Sequence, residues 1–174
     1  MVGFEDLVKR LNVLGLRFDV VGPAAANVQR GLELVKPPCE VSGEVAVAVP
    51  DHTRPVPLQR VLELLTPLLQ ARSRLIFATG SHPMSVGDAF RLLGGWSSRV
   101  KHEIHDSLGP HVHVGTTSRG LSVEVDERFV STDFKVTVGV VAPHPWAGFS
   151  GGSKVILPGL SSLRTIVEHH LKWY

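Results

Sequence analysis

Five consecutive small or β-branched apolar residues, Val45-Ala46-Val47-Ala48-Val49, stand between Glu44 and Pro50. A run of that length without a polar residue reads as a strand buried on both faces, which is a strand of a parallel sheet with helices above and below it. The residues beyond Val49 fit that reading. A proline-punctuated loop, 50–57, leads into 58–72, where Leu58, Val61, Leu62, Leu65, Leu68 and Leu69 recur on one helical face. Pro67 lies inside that segment and either kinks the helix or ends it early. The unit then repeats: strand 74–79, loop 80–84, and a helix over 85–93 with Ser85 as N-cap and Gly94-Gly95 as its stop.

Short strands are expected at 100–104, 112–114 and 121–125, and a strong one at 134–141 (FKVTVGVV). Residues 142–158 form a long Gly/Pro/Ser loop, and 161–171 a closing helix. Ahead of all this, 1–16 reads as an amphipathic helix on Phe4, Leu7, Val8, Leu11 and Leu14. Residues 17–22 read as a strand, and 24–35 as a second helix closed by Lys36-Pro37-Pro38. The expectation is one α/β domain over 1–174, with a mostly parallel sheet and helices on both faces.

Bulk properties narrow the function. The chain is 43% hydrophobic and 20% charged with a formal net charge of +2, the profile of an ordinary globular domain. A nucleic-acid binder would carry a clustered basic face, and none is visible. A single cysteine, Cys39, permits no internal disulfide. The N-terminal MVGFEDLVKRL is interrupted by charges too early for a signal peptide, and no apolar stretch reaches the ~20 residues that span a bilayer. A cytoplasmic protein without membrane contact is expected.

Nine histidines, seventeen glycines and twelve prolines collect in short clusters that no helix or strand period explains. Three of these clusters come directly after strands, where ligands bind in open α/β sheets. Asp51-His52-Thr53-Arg54 puts an acid, an imidazole, a hydroxyl and a guanidinium side by side. Arg54 suits two-point capture of a carboxylate, although the same residues also make a capped turn. Thr79-Gly80-Ser81-His82 offers a histidine, the residue type best suited to carry protons near neutral pH, or a plain surface loop. Pro143 to Lys154 combines His144 with Ser150-Gly151-Gly152, whose backbone N–H groups can approach an anion, and with Lys154 as a cation or nucleophile. It is no ATP-type P-loop, because Lys154 comes after Ser153 and precedes Val155.

His169-His170 are either metal ligands or a helix-end pair facing the helix dipole. His111 and His113 share one strand face without a third ligand nearby. His102 and His105 lie in no zincin motif, and His105-Asp106 reads as a turn.

Together these clusters resemble one family. DHTRPVP (51–57), TGSHP (79–83), HD (105–106), GTT (115–117), PHPWAGFSGGSK (143–154), ILPG (156–159) and TIVEHH (165–170) occur in the same order in nickel-dependent lactate racemases. The resemblance begins near Gly22 and leaves 1–21 unrecognised. It implies the Rossmann-like N-terminal domain of that family and a racemase or epimerase of lactate or another 2-hydroxy acid, working by proton-coupled hydride transfer.

It also implies a nickel pincer cofactor, derived from nicotinic acid and joined to Lys154, with His170 as nickel ligand. His82 and His144 would be the acid/base pair, Arg54 and Asp51 further catalytic residues, and Ser150, Gly151 and Gly152 cofactor neighbours. Family members are more than twice as long, so the family's C-terminal domain is expected to be absent. A partner chain that supplies it is then expected for activity; a homo-oligomer is a separate expectation. A non-catalytic binding module and a zinc hydrolase are the alternatives from other classes; no ligand spacing here fits the latter.

Overall fold

The computed structural model describes residues 43–69, 72–144 and 147–173. The chain divides into two units, Met1–Pro37 and Pro38–Tyr174, and every described residue belongs to the second. The elements expected at 1–16, 17–22 and 24–35, and Cys39, lie outside the described residues.

The first α/β pair forms where the apolar pattern puts it. Strand β1 (Val45–Pro50) and strand β2 (Ser73–Ala78) run parallel, with Val47 opposite Leu75 and Val49 opposite Phe77. Helix α1 (Leu58–Leu64) connects them and is shorter than expected. Pro67 decides this: the chain tightens into a 3₁₀ turn over Thr66–Leu68, because a proline ring inside an α-helix removes a hydrogen bond and clashes with the preceding turn. Helix α2 (Val86–Leu93) then leads to strand β3 (Lys101–Ile104), parallel to β2.

A capping box starts α2. The Ser85 hydroxyl accepts from the Asp88 N–H at 3.1 Å, and the Asp88 carboxylate accepts from the Ser85 N–H at 3.0 Å. Hydrogen bonds from Ser85 and Arg91 hold the Asp88 carboxyl down to about 2. Replacing Ser85 by alanine removes one half of the box. A loss of about 1 kcal/mol is expected, readable as a lower midpoint in urea with an unchanged slope.

Between β3 and the last sheet strand the chain builds an antiparallel ribbon, β4 (His111–Thr116) with β5 (Ser122–Asp126). A single turn, α3 (Glu127–Val130), comes next. Strand β6 (Phe134–Thr137) then pairs in parallel with β1 on the side away from β2, so the sheet order is β3-β2-β1-β6. The strand expected at 134–141 therefore stops early. The Val138 N–H still donates to Ala48, but the partner strand ends in Pro50, which has no N–H to offer.

The loop expected over 142–158 has structure of its own. It holds a two-residue hairpin, β7 (Pro143–His144) with β8 (Gly148–Phe149), and a 3₁₀ turn over Gly152–Val155. Helix α4 (Leu163–Trp173) closes the described chain.

Alternation along the central strands feeds two cores. Val45, Val47, Val49, Leu75 and Phe77 face α1 and α2 and pack on Leu58, Leu62, Ala89 and Leu93. Ala46, Ala48, Ile76 and Ala78 face the other way, onto Val125, Phe129, Val155 and Leu160. The second face uses alanines, and its cover is closely applied: the ribbon, α3 and the 152–160 loop. No helix among the described residues is long and apolar enough to cross a membrane.

Candidate functional site

The chain builds β1, β2 and β3 in one direction and then returns to lay β6 on the other side of β1. The loops leaving the carboxyl ends of β1 and β6 consequently diverge and leave a crevice at the switch point. A cavity of about 310 Å³ lies there. Asp51 and Arg54 after β1, Gly80 and His82 after β2, and Val140, His144, Ser150, Gly151 and Lys154 after β6 all line it, joined by His170 from α4. Eight of the nine residues expected from the sequence are thus brought together. Gly152 is the exception: it does not line the cavity but starts the 3₁₀ turn that carries Lys154.

The loop after β1 is organised by Asp51, which is 5% exposed. One of its carboxylate oxygens accepts from the Thr53 N–H at 2.8 Å and from the Thr53 hydroxyl, and the other accepts from His82 Nδ1 at 3.0 Å. Burial opposes ionisation of Asp51, but these bonds from Thr53 and His82 outweigh it and hold the carboxyl below its ordinary value. An ionised Asp51 puts a proton on His82 Nδ1 and leaves the lone pair on Nε2, as a base needs. Among the described residues the Arg54 guanidinium has no hydrogen-bond or ion-pair partner, so a cation with five donors borders the cavity.

The loop after β2 is held by main-chain contacts. The Thr79 hydroxyl donates to the His105 carbonyl at 3.1 Å, and the Gly80 N–H donates to the Gly159 carbonyl at 2.8 Å. Gly159 can be only glycine in this arrangement, since a Cβ there would stand 2.3 Å from the Val155 carbonyl oxygen. Gly159→Ala is expected to cost about 1–3 kcal/mol through that overlap, seen as a lower thermal midpoint.

In the loop after β6, the Ser150 hydroxyl donates to the Val140 carbonyl at 2.7 Å and accepts from the Ala142 N–H at 3.1 Å. Ser150 therefore ties the loop to itself, and Gly151 turns it with φ 89°. His144 Nδ1 accepts from the Ala147 N–H at 3.2 Å, so the proton of its neutral ring sits on Nε2. Burial first, then the nearby charges of Lys154, Arg54 and His170, push the His144 imidazole below its usual value. Burial and Arg54 do the same to the Lys154 amine, which raises its nucleophilic fraction.

On α4, His170 Nδ1 donates to the Ile166 carbonyl one turn back at 2.6 Å. Its Nε2 then carries the lone pair, and a second-nitrogen bond to a backbone carbonyl is the usual support of a metal-ligating histidine. His169 is not among the residues lining the cavity. The described residues contain no group of three His, Cys, Asp or Glu arranged to hold a metal ion.

One buried feature has no signal in the sequence. His105 has a side chain 0% exposed, with Nδ1 3.0 Å from the Asp126 carboxylate and Nε2 3.0 Å from the Ser161 carbonyl oxygen. Arg128 pairs with the same Asp126 at 2.6 Å. The expected turn is present, but it begins at Asp106, whose carboxylate accepts from the Leu108 N–H, while His105 belongs to the core. Asp126 lies 21 residues further along, and no local pattern links it to His105. His111 sits edge-on to the His105 ring, and His113 bonds Ser122.

Residues 31–174 match the family model described as the lactate racemase N-terminal domain. The lactate racemase of Thermoanaerobacterium thermosaccharolyticum is 31% identical over 162 residues, 87% of this chain and 38% of that protein. That of Lactiplantibacillus plantarum is 31% identical over 135 residues, 72% of this chain and 32% of the relative. The structure of the T. thermosaccharolyticum lactate racemase apoprotein superposes with a TM-score of 0.72 at 29% identity, covering 82% of this chain and 38% of that one. A Thermotoga maritima protein of 22% identity shares the fold, with a TM-score of 0.62 over 84% of this chain and 42% of that one. The chain thus spans well under half the length of the relatives it matches.

Proposed function

Because the chain belongs to the lactate racemase N-terminal domain family, we propose that it forms the catalytic and cofactor-bearing part of a racemase or epimerase of lactate or another 2-hydroxy acid. The observation that carries this reading is the convergence of Arg54, His82, His144, Lys154 and His170 on one cavity. Relatives have more than half their length outside the matched part. The corresponding portion, on this chain, on a partner chain or on a second copy, would cover the His82 ring, which is 53% exposed here. The proposal places the protein in the cytoplasm.

In this proposal Arg54 binds the substrate carboxylate through two parallel hydrogen bonds. His82 Nε2 takes the proton of the adjacent hydroxyl, and Asp51 stabilises the imidazolium that forms. His144 presents an Nε2–H from a different loop and serves the opposite enantiomer. Racemisation needs a proton carrier for each hand of the substrate, and two histidines on separate loops can supply them.

The residues also fit a nickel pincer cofactor. Lys154 would be its covalent attachment, His170 Nε2 the protein ligand to nickel, and Ser150 and Gly151 the loop beside it. When bound, that group supplies the acceptor for the hydrogen leaving the substrate's Cα. The test is co-expression with the enzymes that make the cofactor, then intact-mass and nickel measurement. An adduct with stoichiometric nickel supports the proposal, and unmodified, nickel-free protein sinks it for this chain.

A further inference from the structure

The His82 ring is more than half exposed, and its bond to Asp51 is its only side-chain hydrogen bond among the described residues. A ring held by one acceptor is only as well placed as that acceptor. Asp51 is immobilised by a neighbour to which the family resemblance gives no role. Thr53, two residues on, gives its N–H and its hydroxyl to the same carboxylate oxygen, at 2.8 and 2.5 Å. Two bonds on one oxygen set the plane of the carboxylate, and the plane sets where the other oxygen points. That oxygen meets His82 across the parallel pair β1–β2, whose register brings the ends of the two strands level.

We propose that Thr53 is a positioning residue: its hydroxyl aims Asp51 and thereby selects the tautomer and orientation of His82. The meaning for catalysis rests on reading His82 as a proton carrier; the selection of the tautomer does not. Thr53 is itself exposed, so its hydroxyl is not needed to fill the core. Without that hydroxyl, the carboxylate keeps only the Thr53 N–H on that oxygen and can turn about its Cα–Cβ and Cβ–Cγ bonds.

The experiment uses the chain without cofactor or substrate, ¹⁵N-labelled at histidine, at a pH where the ring is neutral. Wild type and Thr53→Ser should show His82 as the Nδ1–H form. In Thr53→Val, which keeps the shape and the N–H, the ring should move largely to the Nε2–H form that an unconstrained histidine prefers. An unchanged His82 signature in a folded Thr53→Val overturns the proposal, as does an equal change in Thr53→Ser. Because nothing is loaded or turned over, failure here is separable from failure of the racemase reading, which the mass and nickel measurement tests.

Discussion

Lys154→Ala should abolish both the mass adduct and the bound nickel in protein co-expressed with the cofactor-making enzymes, while leaving the fold intact. The amine is the group that can be acylated, and alanine removes it outright. Lys154→Arg should fail equally, because a guanidinium that stays charged is no nucleophile, although it keeps the positive charge beside the cavity. Burial and Arg54 together favour the neutral amine, so attachment should be selective for this lysine. The fold should survive because what Lys154 contributes to its turn is main chain. Its N–H donates to Gly151, and its carbonyl accepts from Gly159. An adduct that persists in Lys154→Ala would place the attachment elsewhere and remove the central residue of the proposal. Circular dichroism on the same samples separates loss of attachment from loss of structure.

The largest stability effect is expected at Asp126. Its side chain is 2% exposed and accepts from His105 and from Arg128. Burial works against its ionisation, but the bonds from His105 and Arg128 prevail, so its carboxyl titrates far below the ordinary range. Asp126→Ala takes the shared carboxylate from a buried His105 and a half-buried Arg128, a loss that costs about 3–5 kcal/mol in such networks. Urea denaturation monitored by far-UV circular dichroism reads this directly. An effect under about 1 kcal/mol would mean that water replaces the carboxylate and that the triad is not structural.

Replacing Asp126 and His105 together by leucine should recover only part of the loss: the buried imidazole goes with its carboxylate, but Arg128 still loses Asp126 and the Ser161 carbonyl loses His105. The pH dependence comes from the sign of the shift. A carboxyl whose folded value is depressed contributes its full stability above the unfolded value, near 3.8, and loses it as pH falls through the lower folded value. Wild type should therefore lose stability steeply below pH 3.8, and Asp126→Ala should show a shallower acid limb.

These two residues differ in legibility for a physical reason. Lys154 stands in a contiguous block with Gly151 and His144, and a block of consecutive residues is visible however the chain folds. The same holds for Asp51 with Arg54 and for Thr79 to His82. Asp126 acts through His105, 21 residues back, and through the Ser161 carbonyl ahead of α4. No spacing announces those contacts, because strand β5 and the approach to α4, far apart in sequence, meet through a tertiary bridge between Val125 and Ser161.

The strands divide in the same way. Val45 to Val49 is readable because burial on both faces is written in the residues themselves. The end of β6 at Thr137 is not, since nothing in FKVTVGVV marks it; the neighbouring strand runs out at Pro50.

Helix α1 is legible in its face and not in its length. Leu58 and Leu62 do point into the core, as their period requires. Its early end is due to Pro67, whose two consequences, kink or stop, the sequence leaves equal and the packing resolves.

By itself the sequence determined the alternation of strands and helices from β1 to α2, the burial of β1 on both faces, and the identity of the chemical groups at the strand ends. It did so because hydrophobic period and contiguous motifs are local properties. Only the tertiary structure decided that β6 lies beside β1, so that the loops after β1, β2 and β6 share one cavity, and that Asp51 faces His82 while Asp126 faces His105. Strand order and side-chain pairing are long-range choices, made by which edges and carboxylates find complementary partners once the chain has collapsed.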